Sequence, residues 1–249
     1  MTPFDLYDAN CRIGPTPWGG VDTGDVAALL RRMDLLGIQL AVVSHTMSWR
    51  HDPALGNRLV LRCVAEEPRL VPCWVALPDT CGEVLAPKQF ATEALDAGVA
   101  AVRIYPDDHG FDLDGIDFAG YLGAFAHAGL PLIVDLAQTT WGAIETAARL
   151  HPELAVIVCG VGYRSLRRAA GVLDRRPNVY LDLSDLSTHE GLEWLCDRFG
   201  PRHLVFGTGA PLRDGGEAVT RLLWSELDAA AVREIGSGTL RGLLPGGVR

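Results

Sequence analysis

Asp8-Ala9-Asn10-Cys11-Arg12-Ile13-Gly14 ends the first apolar run of the chain, Phe4 to Tyr7. Side chains alternate along a strand, so Asn10 and Arg12 project to the same side at the far end of that run. Outward from this segment, short apolar runs alternate with amphipathic stretches to the end of the sequence. The predicted strands are Phe4–Ala9, Gln39–His45, Leu70–Ala76, Val99–Tyr105, Pro131–Leu136, Ala155–Cys159, Asn178–Leu183 and His203–Gly207. Most are rich in Val, Ile and Leu with little alternation, as expected of parallel strands covered on both faces.

Helices are predicted between them at Asp25–Leu36, Pro53–Glu66, Lys88–Asp96, Asp117–Ala128, Trp141–Leu150, Tyr163–Leu173, Thr188–Phe199 and Gly216–Leu227. A terminal helix follows over Ala229–Leu244, broken at Gly236-Ser237-Gly238. Asp25 and Thr188 read as N-terminal caps, and Gly37, Gly98, Gly129 and Gly200 as C-terminal stops. Pro106–Gly115, rich in Asp and Gly, reads as an exposed loop. Eight strand–helix units in series predict a single-domain (β/α)8 barrel over residues 1–249, a length usual for that fold. An open doubly wound sheet would carry a glycine-rich dinucleotide fingerprint after its first strand, and Ile13-Gly14-Pro15-Thr16 has no such pattern.

In such a barrel the active site is built at the C-terminal ends of the strands. That rule selects Asn10, Arg12, His45, Arg103, Tyr105, Asp135, Gln138, Cys159, Tyr163, Asp182, Ser184, Thr208 and Gly209. The segment from Asp8 to Gly14 resembles the opening motif of the metal-dependent amidohydrolase-related family. Pro131–Asp135, Ala155–Gly162, Asn178–Ser184 and Phe206–Pro211 are similar to its fifth to eighth strand motifs, so the resemblance covers nearly the whole chain. It implies the barrel fold and hydrolase or lyase chemistry on a small organic molecule. It also implies that the metal-ligating positions have changed. The family has histidines where Asn10, Arg12, Asp135 and Cys159 stand, and where Gly209 stands it has an aspartate that serves as metal ligand and general base. Asn is a poor metal ligand and Arg repels the ion.

The replacements agree with one another electrostatically. Gly209 removes a carboxylate that would be left unpaired without a metal, Arg12 supplies positive charge in the same mouth, and Asp135 offers it a bidentate partner. The expected catalytic residues are therefore Arg12, Asp135, His45 and Cys159. Asn10, Arg103, Tyr105, Gln138, Tyr163, Asp182 and Thr208 are expected to bind substrate. For each the plainer alternative stands beside it. Arg12–Asp135 would be a structural plug, His45 a hydrogen-bonded core imidazole, Cys159 a buried apolar thiol, and Arg103 a partner of Asp135 or Asp182. Trp18, Trp49 and Trp141 either line an apolar pocket or pack loops down.

No metal and no cofactor are expected. The seven histidines show no His-x-His or His-Glu-x-x-His spacing. Lysine occurs once, at Lys88 on a surface helix, which leaves no candidate for a Schiff base or a metal-bridging carboxylated lysine. The net charge of −9, with no basic run, argues against nucleic acid and anionic membranes as partners. No apolar run reaches the roughly 18 residues of a membrane span. Met1-Thr2-Pro3-Phe4-Asp5 has neither a basic n-region nor an apolar h-region, and the six cysteines are scattered, which together predict a reduced cytoplasmic protein. Two functions follow. One is a metal-independent hydrolase or lyase. The other is a non-catalytic barrel that binds a small ligand or pairs, as a pseudoenzyme subunit, with an active paralogue. A homo-oligomer or such a hetero-oligomer is expected only by analogy with the family.

Overall fold

The computed structural model describes residues 4–15 and 25–246, so Trp18 and Met1–Pro3 lie outside the described residues. Eight parallel strands follow in sequence order: β1 (Leu6–Ile13), β2 (Ile38–His45), β3 (Leu70–Val75), β4 (Ala101–Ile104), β5 (Leu132–Asp135), β6 (Val156–Cys159), β7 (Val179–Asp182) and β8 (Leu204–Val205). The helices are α1 (Val26–Leu36), α2 (Thr46–Arg50), α3 (Pro53–Val64), α4 (Pro87–Asp96), α5 (Pro106–His109), α6 (Ile116–Ala128), α7 (Trp141–Leu150), α8 (Leu166–Leu173), α9 (Gly191–Phe199), α10 (Gly215–Leu223), α11 (Ala229–Arg233) and α12 (Thr239–Leu243). The expected (β/α)8 barrel is the observed one. No described helix is long and apolar enough to cross a membrane.

Most strands are apolar on both faces because they pack twice. Ala9, Leu40, Val42, Val71, Ile133, Ile157 and Val205 fill the barrel interior, with Tyr7, Leu240 and Leu244 packed against the same cluster. Leu6, Val43, Trp74, Val102, Ile104, Val134 and Val158 pack outward against the helices. Caps fix where helices begin. Asp25 accepts from Ala27 N on α1, Asp52 from Leu55 N on α3, and Thr140 from Ala143 N on α7. Gly37 and Gly129 end α1 and α6 in the left-handed conformation.

Three local expectations need correction. Thr188 caps nothing: the chain enters α9 through Glu190 at φ 50°, and the helix starts at Gly191. Pro106–Gly115 is not loop throughout, because Pro106–His109 forms α5, with proline in its first turn and Gly110 at its end. The predicted break at Gly236-Ser237-Gly238 is a π-helical turn, Glu234–Gly238, joining α11 to α12.

The strand β1 continues past Ala9 through a bulge between Asp8 and Cys11, and its end is held by the segment that follows β8. Ala9 N donates to Phe206 O at 3.0 Å and Arg12 N to Ala210 O at 2.8 Å. The Asp8 carboxylate completes the seam. Oδ1 accepts from Asn10 N and Thr208 N, and Oδ2 accepts from the Thr208 hydroxyl at 2.5 Å and the Cys11 thiol at 3.0 Å. A fully buried carboxylate with four donors is a closing bolt between β1 and the segment after β8. Replacing it by Ala strands those donors at a cost of roughly 1–3 kcal/mol for each group left unsatisfied, partly relieved by relaxation. Asp8→Ala should therefore lower unfolding free energy by about 3 kcal/mol in a urea titration, whereas a change below about 1 kcal/mol would show that the backbone bonds alone close the barrel.

Candidate active site at the barrel mouth

Alternation along each strand decides which side chains enter the barrel. On β2, Leu40 and Val42 belong to the interior cluster and Ala41 and Val43 to the outer layer, so Ser44 points inward and His45 outward. On β1 the bulge resets the phase after Ala9, and Asn10 and Arg12 both face inward. Arg103 and Asp135 come from β4 and β5, and Asp182 from β7. These five residues, drawn from four strands, meet in one network.

Arg12 donates from Nε to the Tyr105 hydroxyl at 3.1 Å, from Nη1 to Asn10 Oδ1 at 3.2 Å, and from Nη2 to Asp135 Oδ2 at 2.5 Å. Arg103 donates from Nη1 to the same Asp135 oxygen at 3.0 Å and from Nη2 to Asn10 Oδ1 at 2.7 Å. Asn10 returns Nδ2 to Asp182 Oδ2 at 2.9 Å. Ser184 Oγ and Gly160 N donate to the other Asp182 oxygen at 2.9 and 3.3 Å. Gly207 makes room here, since a Cβ at that position would lie 2.6 Å from Asp182 Oδ2.

Both arginines are almost fully buried, while Asp135 keeps 22% of its side-chain surface exposed. Burial pushes the Asp135 carboxyl up, but Arg12 and Arg103 outweigh it and hold the group below the usual carboxylate range. Asp182 moves the other way. Burial pushes it up to about 6, and its neutral donors, Asn10 and Ser184, only partly compensate.

Other expected site residues lie elsewhere or serve other ends. His45 is a correction: Nδ1 accepts from Met47 N at 3.0 Å, so the ring caps α2, and burial lowers its pKa. That nitrogen is unavailable as a general base. Cys159 is a second correction. It is fully buried on the interior floor, and burial first, then Asp182, pushes its thiol well above the ordinary range. An activated thiolate needs the opposite environment. Thr208 is a third, because its hydroxyl and amide are spent on Asp8. Tyr163 is 58% exposed and outside the network. Gln138 sits at the rim, bound to Asp108. Tyr105 is buried, with its hydroxyl on Arg12. Trp141 packs in the helix layer rather than in the mouth. Lys88 is exposed near the start of α4.

The structure adds residues that strand-end reading did not select. Ser44, paired with Arg12 across β1 and β2, is buried with no partner for its hydroxyl. Trp49 stacks on Tyr105 with ring centres 5.0 Å apart and planes 13° apart, and the Arg12 guanidinium lies 5.4 Å from the indole centre. Arg213 pairs with Asp185 at 2.8 Å and contributes to holding Asp135 ionised. Among the described residues no three His, Cys, Asp or Glu side chains come together as a group that could hold a metal ion.

A family model described as Amidohydrolase matches residues 16–244. No curated protein matches the chain. Among solved structures, an uncharacterized TIM-barrel protein from Bordetella bronchiseptica is 17% identical, with a TM-score of 0.76 over 96% of this chain and 98% of that one. The 2,6-dihydroxybenzoate decarboxylase from Rhizobium is 13% identical, with a TM-score of 0.77 over 96% and 98%. The 5-carboxyvanillate decarboxylase from Novosphingobium aromaticivorans, complexed with manganese and 4-hydroxy-3-methoxy-5-nitrobenzoic acid, is 12% identical, with a TM-score of 0.74 over 97% and 96%. At these identities the likeness is one of fold.

The two aspartates make the network sensitive to pH in separate windows. The Asp182 pKa rises from about 3.9 in the unfolded chain to about 6 in the fold. Between those values the folded state binds more protons, so this contribution to stability falls as pH rises from about 4 to 6, by roughly 3 kcal/mol in total. Asp135, held low, acts in the opposite sense and only below about pH 4. Asp182→Asn removes the first contribution. Relative to wild type its unfolding free energy should therefore gain about 3 kcal/mol between pH 4 and pH 7 in urea titrations, and a constant difference would falsify the assignment.

Proposed function

The chain belongs to the amidohydrolase family, and we propose that it takes a small aromatic acid at the barrel mouth and acts on it as a hydrolase or lyase without a divalent metal. The convergence of Arg12 and Arg103 on one oxygen of Asp135 carries this reading. The mouth already holds two fixed cations. Asp135 is already shared between them, so it is not left unpaired to attract a divalent ion. Asn10 spends its oxygen on both guanidiniums and its amide on Asp182, so it has little to offer a metal. The residues present do not fit a divalent ion.

They do fit an acid with a flat ring. Arg12 neutralises the ligand carboxylate, and its guanidinium stays charged at any working pH. The edge of the Trp49–Tyr105 stack gives an aromatic border beside it. The solved relatives whose names or ligands are benzoic acids lend weight to that class. Both arginines use Asp135 Oδ2, which leaves Oδ1 to orient the substrate or take a proton from it. Held ionised, Asp135 serves as acceptor or base and not as acid.

A second reading is favoured by one observation: Asp135, Asn10 and Tyr105 already engage every nitrogen of the Arg12 guanidinium, and Asp135 and Asn10 both terminal nitrogens of Arg103. The network is then a plug, and the protein a non-catalytic ligand-binding barrel or the partner of an active paralogue.

Benzoate and 2,6-dihydroxybenzoate should raise the melting temperature of protein held in EDTA. Arg12→Ala should weaken that binding about 10- to 100-fold, as loss of a charge-assisted pair does. Stoichiometric zinc or manganese in purified protein overturns the metal-free reading. Lowered stability in Arg12→Ala with unchanged ligand affinity supports the plug.

A further inference from the structure

The helices α2 and α5 and the turn after β5 are tied together above Arg12 by one side chain. Asp108 Oδ2 accepts from Trp49 Nε1 at 2.6 Å and from Gln138 Nε2 at 2.9 Å. Its backbone N donates to Gln138 Oε1 at 3.0 Å, and its Oδ1 lies 3.5 Å from Arg50 Nη1. The next residue adds a second hold: His109 Nε2 donates to Trp49 O at 2.9 Å, a carbonyl being able only to accept. Trp49 is thus gripped at its indole N–H and at its carbonyl by consecutive residues. Below α2, Gly56 lets α3 approach the Ser48 backbone, where a Cβ would lie 2.2 Å from Ser48 N.

The grip has consequences at the arginine. The Trp49 indole has the Arg50 guanidinium 3.6 Å and the Arg12 guanidinium 5.4 Å from its centre, and it stacks on Tyr105. The Tyr105 hydroxyl receives Arg12 Nε, the one nitrogen of that guanidinium not directed at Asn10 or Asp135. From Asp108 to Arg12 the contacts are continuous: carboxylate to indole, indole to phenol, phenol to guanidinium. We propose that Asp108 is a positioning residue, which fixes the Trp49–Tyr105 stack as the wall of the mouth and through it holds the Arg12 guanidinium in its binding orientation. The role of Arg12 toward a ligand rests on the function proposed above, while its orientation does not.

Asp108→Ala and Asp108→Asn test this together. The Trp49 contribution to near-ultraviolet circular dichroism is defined by subtracting the Trp49→Phe spectrum. The Arg12 Nε–H resonance in 15N-arginine protein is assigned by its loss in Arg12→Lys. Asp108→Ala should lose most of the Trp49 signal, shift and broaden the Arg12 Nε–H resonance, and bind benzoate about ten-fold more weakly. Asp108→Asn keeps a carbonyl oxygen for the indole N–H and should fall between it and wild type. If Asp108→Ala fails to fold, Asp108→Asn alone carries the comparison. An unmoved Arg12 resonance in either folded variant overturns the proposal, as does an unchanged Trp49 signal. If wild type itself ignores benzoate, the proposed function fails, and the two spectroscopic readouts still decide the role of Asp108.

Discussion

Two guanidinium groups buried on one carboxylate oxygen set the terms for everything else at this barrel mouth. Buried cations are tolerated only when paired and hydrogen-bonded. Asp135 supplies the charge, but a single carboxylate oxygen cannot serve all the donors of Arg12 and Arg103. Asn10 takes one donor from each, Tyr105 takes Arg12 Nε, and Arg103 Nε stays buried without a hydrogen-bond partner. The Asn10 carbonyl oxygen faces the two cations and its amide nitrogen faces Asp182, so one side chain joins a positive layer to a negative one. A carboxylate at position 10 would repel Asp182, and a protonated imidazole would repel both arginines. An amide, with an acceptor at one end and a donor at the other, meets both demands.

The same arrangement separates the two aspartates. Asp135 touches guanidinium directly and is held ionised. Asp182 lies behind the Asn10 amide, sees only neutral donors, and has its carboxyl raised by burial. Above the Asp182 titration the four charges cancel, and below it the network carries a net positive charge. The pair thus illustrates how one residue type takes opposite protonation behaviour from surroundings one hydrogen bond apart.

The barrel was legible in the sequence because its signals are long and repeated: eight apolar runs, amphipathic stretches between them, and glycines where helices stop. Asn10, Arg12, Arg103, Asp135 and Asp182 were legible too, since strand ends point to the mouth. Proximity to a strand end is not enough, however. His45 and Ser44 are neighbours on β2, and only the strand's phase, fixed by Leu40 and Val42, tells that Ser44 faces inward. Thr208 was misread for a different reason. Its partner is Asp8, 200 positions away, and no local pattern reveals a bond between the first strand and the segment after the last. The helices α2 and α5, at five and four residues, are too short to show a period. Trp49 was legible as a pocket candidate, but its contact with Asp108 spans 59 positions and joins two such segments, so its anchoring beside Arg12 shows only in the fold.

Those unread segments bear on how a ligand would meet the buried pair. An incoming carboxylate faces Asp135, a like charge already seated on Arg12 and Arg103. It can approach Arg12 only from a side that Asp135 and Asn10 leave open. The Tyr105 hydroxyl takes Nε, so the guanidinium plane is pinned on three sides, and the indole of Trp49 stands over it. The indole already carries Tyr105 and the Arg50 guanidinium, which lies 3.6 Å from its centre, so a ligand ring would meet the edge of that stack rather than its face. An acid that reached Arg12 by displacing Asp135 would take the carboxylate from Arg103 as well, because both arginines share the same oxygen.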